Sequence, residues 1–154
     1  KFLYLMYTVE EFDEAKTKVL KYILYKKRTE NEVRTKFGKI MQEELLDDVI
    51  EYLKDAGYIN DNEYIEKTVN QFCILKNLSI REIRYKLLSK GISKDKIEEY
   101  ISENYEELKE YEQKSANNIV YKKSTSMEAD EIKQYLLKKG YSLESVNKAM
   151  EEIE

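Results

Sequence analysis

Large apolar residues return along the chain every three or four positions, which is the spacing of helices that bury one face. The first such stripe comprises Val19, Leu20, Ile23 and Leu24. Alternation with a period of two, which marks a half-buried strand, does not extend over a useful length, and only residues 2–7 stay open as a strand. The pattern therefore predicts an all-α protein.

One short pattern occurs three times in the chain. The copies are Glu32–Phe37, Glu82–Leu87 and Glu131–Leu136, and each contains an acid, a β-branched anchor, a base and a large apolar residue four places after the anchor. The copies begin at positions 32, 82 and 131, so their offsets are 50 and 49 residues. Self-similarity at a nearly fixed period is the signature of a repeat protein. We expect three helices in each copy.

Polar residues mark where the middle helix of each copy begins. Thr29 with Glu32, and Ser79 with Glu82, have the spacing of a capping box, in which a hydroxyl and a carboxylate bind unpaired backbone N–H groups. In the third copy the middle helix is predicted to start after about Ser126.

Two glycines and one acid mark further helix ends. Gly91 and Gly140 are predicted to end the second and third middle helices, since glycine adopts the left-handed conformation that closes a helix. Asp61 is predicted to cap the helix that starts near Asn62.

The predicted fold is all-α, with three tandem three-helix repeats stacked into an elongated, curved array. Stacking is expected because a unit of about 45 residues buries too small a core to be stable alone. Residues 1–14 form a lead-in, and the repeats are 15–61, 62–110 and 111–154. The chain begins with Lys rather than Met, so we expect the lead-in to be the remnant of a longer N-terminal segment.

Composition excludes several classes of enzyme. The chain has no His and one Cys, Cys73, which excludes His-assisted nucleophilic catalysis and a Cys/His zinc site. No glycine-rich phosphate loop occurs, and Cys73 lies on an apolar stripe where an inert thiol is expected. We predict no catalytic residue, no metal and no cofactor. A single Cys fits a reducing cytoplasm, and no apolar run is long enough to cross a membrane.

Charge is separated within each copy, although the whole chain, with 27 basic and 31 acidic residues, has a net charge of −4. Acids gather on the third helix, and bases gather at the end of the first helix and along the second. The base after the anchor recurs as Arg34, Arg84 and Lys133. In a regular stack these cations would form a row able to follow phosphates or carboxylates. Alternatively, they are the solvated flank of an amphipathic helix.

Three segments, in this order and spacing, resemble the RecX family of bacterial RecA regulators. They are Tyr25–Val33 (YKKRTENEV), Gly57–Tyr64 (GYINDNEY), and Ile83–Leu87 followed by Lys90-Gly91-Ile92. The resemblance covers the chain from about Phe12 onward. It departs from the family where Lys26-Lys27-Arg28 replaces a more usual Arg-Pro sequence.

The resemblance implies a non-enzymatic, cytoplasmic protein of DNA recombination, repair and the SOS response. Such a protein binds the RecA–DNA filament and inhibits the recombinase, ATPase and coprotease activities of RecA. We expect a monomer, and a weak direct contact with DNA stays open. Together with the charge pattern, this predicts the filament-binding residues Lys26, Lys27, Arg28, Arg34, Lys36, Arg81, Arg84, Lys86 and Lys133.

Two other functions stay open at this point. Three-helix units are similar to helix-turn-helix modules, which predicts a DNA-binding protein that does not need RecA. The acidic balance of the chain opposes this alternative, because phosphate contacts favour a net basic face. The other alternative is an interaction scaffold unrelated to recombination.

Overall fold

The computed structural model describes residues 7–153, and within this range the chain forms nine helices and no strand. The helices are α1 (Val9–Tyr25), α2 (Glu30–Phe37), α3 (Glu43–Asp55), α4 (Asp61–Leu75), α5 (Ile80–Ser89), α6 (Lys94–Glu103), α7 (Tyr105–Lys123), α8 (Ala129–Lys139) and α9 (Leu143–Glu151). The all-α prediction is confirmed for this range. The segment left open as a strand lies, apart from Tyr7, outside the described residues.

The helices follow the order expected of three successive sets. We call α1, α4 and α7 the first helices, α2, α5 and α8 the middle helices, and α3, α6 and α9 the third helices. The predicted boundaries between the repeats stay predictions. None of the described helices combines the length and the apolar content needed to cross a membrane.

The chain divides into two compact units. Unit 1 comprises the described residues up to Tyr64 together with Lys90–Ile92. Its helices α1, α2 and α3 pack on one another around a core that includes the fully buried residues Val19, Val33, Val49 and Ile50.

Leu24 lies outside this core, so its predicted place on the buried stripe is wrong. Its side chain is 69% exposed, whereas Ala15, Val19 and Ile23 are buried. These three residues are spaced by four and form one line along α1. An α-helix turns about 100° per residue, so Leu24 lies well away from the line that ends at Ile23.

Unit 2 comprises Ile65–Ser89 and the chain from Ser93 onward. Helix α7 packs against α5, α6, α8 and α9. The side chains with no exposed surface include Ile83, Leu87 and Ile97 on α5 and α6, and Ile132, Leu136 and Val146 on α8 and α9. These residues recur at the positions that the repeat pattern assigns to the core.

The first two predicted capping boxes are confirmed. The Glu32 N–H donates to Thr29 Oγ1 at 3.1 Å and the Thr29 N–H donates to Glu32 Oε1 at 3.0 Å. In α5 the corresponding bonds between Ser79 and Glu82 measure 3.0 and 3.1 Å. The start predicted near Ser126 is too early, because Glu128 is the N-cap of α8 and its N–H donates to Glu131 Oε1 at 3.3 Å.

Each capping hydroxyl also donates to a backbone carbonyl about 60 residues later in the chain. Ser79 Oγ donates to the Lys139 carbonyl at 2.8 Å, and Thr29 Oγ1 donates to the Lys90 carbonyl at 3.0 Å. The glycine after each carbonyl has a positive φ, 97° at Gly140 and 79° at Gly91, as predicted for helix ends. In unit 2 this bond holds the end of α8 against the start of α5.

Asp61 does not cap α4 as predicted. Helix α4 begins at Asp61 itself, and the preceding residue, Asn60, accepts the Glu63 N–H through Oδ1 at 3.0 Å. Asp61 Oδ1 instead accepts the Glu30 N–H at the start of α2, also at 3.0 Å. The side chain satisfies an unpaired N–H of another helix, a long-range contact that local capping rules do not include.

Candidate partner-binding site

Arg34, the first cation of the predicted row, is bound by two acids of unit 1. Its Nε donates to Glu30 Oε2 at 3.0 Å, and its Nη1 donates to Asp47 Oδ1 at 2.6 Å. Lys54 Nζ also lies 3.2 Å from Glu30 Oε1. Burial alone would raise the pKa of Glu30, but the hydrogen bonds from Arg34 and Lys54 lower it overall. Arg34 therefore joins α2 to α3 and keeps Glu30 ionised.

Arg84 has the same role in unit 2. Its Nε donates to Glu98 Oε2 at 2.6 Å and its Nη2 donates to Glu98 Oε1 at 3.1 Å, which is a two-point contact between α5 and α6. The hydrogen bond from Arg84 lowers the pKa of Glu98. Such a planar, bidentate pair fixes the direction of both side chains.

Lys133 lacks an equivalent acid. The position on α9 that corresponds to Glu98 is Asn147, and no carboxylate lies within 4.0 Å of the Lys133 ammonium in the part of the chain that the structure describes. Arg34 and Arg84 are thus paired with acids of their own units. Lys133 has no such acid, so its ammonium is available to solvent or to a partner.

The predicted basic residues of unit 1 gather near the end of α1. The Arg28 guanidinium stacks on the Tyr22 ring, with Cζ 3.9 Å from the ring centroid, and Lys36 Nζ lies 5.7 Å from the same centroid. Lys27 contacts the Glu63 carboxylate. Lys26 is the exposed C-cap residue of α1. Arg28 and Lys36 therefore share one aromatic ring, whereas Lys27 is paired with an acid.

Unit 2 brings Arg81 and Lys86 together at a groove of about 290 Å³ between α5 and α8. We call it the middle-helix groove, and it is lined by Arg81, Glu82, Tyr85, Lys86, Lys138 and Lys139. It contains four cations and one acid, and Lys139 Nζ lies 3.9 Å from Glu82 Oε2. The bond from Ser79 to the Lys139 carbonyl holds the two walls together. The groove suits an anionic partner.

Tyr85, Lys138 and Lys139 are absent from the predicted site. Tyr85 lies between Arg84 and Lys86 and is 74% exposed. The detectable signal is its place off the buried line of α5, which runs through Ile83 and Leu87. An aromatic residue at such a position faces solvent, where it can stack on a planar group.

The acids and the single cysteine of the described residues bear on possible chemistry at this surface. The described residues contain no group of three or more Cys, Asp or Glu side chains placed to hold a metal ion. Burial raises the pKa of the Cys73 thiol, so this residue stays protonated at neutral pH. What the geometry offers is a set of cations that can bind carboxylates or phosphates.

These helices and this groove define a helical protein with a cluster of cations on its surface, and comparison with known proteins gives its family. The chain is 33% identical to Regulatory protein RecX of Staphylococcus carnosus, over 88% of this chain and 52% of that protein. It is 31% identical to Regulatory protein RecX of Clostridium acetobutylicum, over 97% of this chain and 74% of that protein. The chain belongs to the RecX family, which confirms the resemblance found in its motifs.

A solved structure supports the same fold. The crystal structure of RecX from Lactobacillus salivarius matches with a TM-score of 0.80 and 22% identity, covering 94% of this chain and 97% of that one. No family model matches the chain. The chain spans about half the length of the S. carnosus relative and 57% of a relative from Streptococcus pneumoniae.

Proposed function

We propose that this chain binds the RecA–DNA filament and restrains the recombinase, ATPase and coprotease activities of RecA without catalysing a reaction itself. It acts as a monomer in the cytoplasm. The observation that carries the proposal is the middle-helix groove, in which four cations surround an exposed tyrosine in a member of the RecX family.

The middle-helix groove contacts DNA phosphates within the filament. The chain has a net charge of −4, so attraction to a polyanion must come from local clusters of cations. Arg81, Lys86 and Lys138 have no carboxylate within 4.0 Å among the described residues, so their charges are available to phosphates. Tyr85 supplies a ring on which a base or sugar can pack.

The other predicted residues add weaker contacts to the same filament. Arg34 and Arg84 keep 39% and 35% of their side chains exposed while they bind their acids. The remaining contacts come from Lys26, Lys27, Arg28, Lys36 and Lys133. Contacts on one chain reinforce one another, because the first raises the effective concentration of the next.

The test is the RecA-dependent ATPase on single-stranded DNA, measured at substoichiometric amounts of this protein. The native chain should inhibit it, and a Lys86→Glu/Lys138→Glu variant should need about 30-fold more protein, which corresponds to about 2 kcal/mol from two reversed contact charges. A Lys21→Glu/Lys39→Glu variant has the same net charge and reverses two exposed lysines elsewhere, so it serves as the matched control. Equal inhibition by the native chain and the groove variant would remove the groove from the proposal, and no inhibition by the native chain would refute the function.

A DNA-binding protein that does not need RecA is the second candidate. Tyr85 favours it, because an exposed ring among cations is typical of surfaces that bind single strands. Binding of bare single-stranded DNA at about 150 mM salt separates the two functions, since weak nonspecific phosphate contacts fade there. The main proposal predicts that the filament binds much more tightly than the bare strand, and equal affinities would favour the second candidate.

A further inference from the structure

The first helices end in large apolar side chains that face solvent. Leu24, Ile74 and Tyr121 are 69%, 80% and 82% exposed. Each follows directly after the last inward-facing residue of its helix, and each is followed two positions later by a lysine. In unit 2, Ile74 lies next to the exposed residues Leu75 and Lys76, and a contiguous exposed apolar pair is more typical of an interaction surface than a single exposed residue.

In unit 2 one of these ends forms the wall of a second groove. A cavity of about 380 Å³ lies between the end of α4 and α7. We call it the first-helix groove, and its lining includes Ile74, Leu75, Lys76, Lys114 and Lys122.

The walls of the first-helix groove are fixed by hydrogen bonds. Asn118 Nδ2 donates to Asn77 Oδ1 at 3.0 Å. The Tyr111 hydroxyl donates to the Lys76 carbonyl at 2.6 Å and accepts the Leu78 N–H at 3.0 Å. The groove is therefore largely formed before any partner arrives.

The three lysines of this groove have no carboxylate partner among the described residues, and Lys76 Nζ lies 5.9 Å from the centroid of the Phe72 ring. No carboxylate lies within 4.0 Å of Lys76, Lys114 or Lys122 among residues 7–153, and no acid lines the groove. By contrast, Lys109 on the same α7 lies 3.2 Å from Glu144. Three lysines without a carboxylate partner around two exposed aliphatic side chains suit a partner that carries both negative charge and an apolar side chain.

We propose that the first-helix groove binds an acidic protein segment with an aliphatic or aromatic side chain, supplied by the protein component of the filament. This inference rests on the proposed function. The apolar side chain packs on Ile74 and Leu75, which are 80% and 75% exposed, and carboxylates of the segment pair with Lys114 and Lys122.

The lining favours a protein segment over nucleic acid. The groove contains no arginine, and its one aromatic residue, Tyr111, has its hydroxyl bound to backbone atoms of α4 and Leu78. Aliphatic side chains offer no ring on which bases stack, and sites for single strands depend on such rings. Lysine ammoniums attract carboxylates and phosphates alike, so the exposed aliphatic pair Ile74 and Leu75 is what favours a protein segment.

The test compares two variants with one control in binding to RecA assembled on single-stranded DNA and to the same DNA alone. The variants are Lys114→Glu/Lys122→Glu and Ile74→Ser/Leu75→Ser, and the control is Lys21→Glu/Lys39→Glu. All are exposed positions, so the fold is retained, which circular dichroism checks. Each groove variant should bind the filament about 30-fold more weakly, the effect of about 2 kcal/mol, while the control changes less than about threefold.

The outcomes separate this inference from the function on which it rests. If the native chain binds the filament and both groove variants bind equally well, the inference is overturned and the function stands. If the affinity of the groove variants for bare DNA falls by the same factor as their affinity for the filament, the occupant is nucleic acid and the inference fails. If sedimentation shows that the native chain self-associates and the variants do not, the occupant is a second copy. If the native chain does not bind the filament, the function itself is refuted.

Discussion

The two grooves of unit 2 lie between helices of equivalent position, yet they differ in chemistry. The middle-helix groove, between α5 and α8, combines an arginine and lysines with the exposed Tyr85. The first-helix groove, between α4 and α7, combines lysines with the exposed aliphatic pair Ile74 and Leu75. Packing constrains only the buried line of each helix, so the exposed positions are able to differ. One helical scaffold thereby presents two surfaces, suited to two kinds of partner.

A similar contrast occurs within one helix. Arg84 lies on α5 with its guanidinium bound to Glu98, whereas Lys86, two residues later, faces the middle-helix groove without a carboxylate within 4.0 Å in the described range. A cation in a repeat is therefore not by itself a binding residue. Its internal partners decide whether its charge is available.

The largest predicted effect comes from Gly140, which holds the end of α8 beside Arg81. A Cβ at this position would lie 2.7 Å from Arg81 Cδ and 2.8 Å from Arg81 Cβ, and φ is +97°. Gly140→Ala should lower the free energy of unfolding by about 3 kcal/mol, the sum of left-handed strain and overpacking. Urea denaturation measures this change.

The matched control is Gly57→Ala. Gly57 has a φ of +84° but no neighbouring atom within 4 Å of the added Cβ, so only the backbone strain applies. We expect a loss of about 1 kcal/mol there. Equal losses at the two glycines would contradict the close contact between Gly140 and Arg81.

The next largest loss of stability is predicted for replacement of Ser79, whose bond to the Lys139 carbonyl joins the two walls of the middle-helix groove. Its hydroxyl accepts the Glu82 N–H and donates to the Lys139 carbonyl, and the residue is fully buried. Ser79→Ala should cost about 2 kcal/mol, because the cap of a fully buried residue is lost and the Lys139 carbonyl loses its donor. Thermal and urea unfolding measure the loss.

Ser93 provides the comparison for Ser79, because it caps α6 by accepting the Lys96 N–H but is exposed. Ser93→Ala should cost about 1 kcal/mol or less, since water can replace the lost bond. If Ser79→Ala were no more destabilising than Ser93→Ala, the bond to Lys139 would contribute nothing.

Replacing Arg84 tests whether this cation is structural, and its effect should depend on pH. The pKa of Glu98 is lowered in the fold, so the pair stabilises the protein above about pH 4.5 and this contribution is lost as the pH falls through the lowered pKa. Arg84→Met should cost about 1 kcal/mol at pH 7, the upper end for a partly exposed pair, and progressively less as the pH falls below about 4.5. A difference that is independent of pH would contradict the pairing.

The smallest effect is expected at Glu112, a buried acid on α7 that accepts the Ile80 N–H through Oε1 at 3.1 Å. Burial raises the pKa of Glu112. This effect is larger than the lowering of the same pKa by the Ile80 N–H and by Lys109. The fold therefore favours the protonated acid, and stability falls as the pH rises above about 4.5 until the raised pKa is passed. Glu112→Gln keeps an acceptor for Ile80 and should gain about 0.5 kcal/mol at pH 7. A loss at pH 7 would contradict this.

Much of the fold could be predicted because helix signals are local. The capping pairs Thr29 with Glu32 and Ser79 with Glu82 lie three residues apart, and Gly91 and Gly140 lie within two residues of the ends of α5 and α8. The error at Asp61 concerns a residue whose partner is distant in sequence. Asp61 caps a helix that begins 31 residues earlier, and no local rule contains that contact.

The site was less predictable for the same reason. The sequence shows that Arg34, Arg84 and Lys133 are equivalent, but it does not show that Glu30, Asp47 and Glu98 bind the two arginines. It also places Leu24 and Val19 in one apolar pattern, whereas their places around the helix differ. The sequence shows which residues occupy equivalent positions of the repeat. Whether such a residue is available to a partner depends on its neighbours in the folded structure.

The most direct measurement is the affinity of Lys86→Glu/Lys138→Glu and Lys114→Glu/Lys122→Glu for RecA-coated and bare single-stranded DNA at the same salt concentration. If the grooves bind different partners, Lys86→Glu/Lys138→Glu should bind both ligands more weakly. Lys114→Glu/Lys122→Glu should bind only the RecA-coated strand more weakly. Two variants that weaken both ligands in equal proportion, or neither ligand, would contradict the division of roles between the grooves.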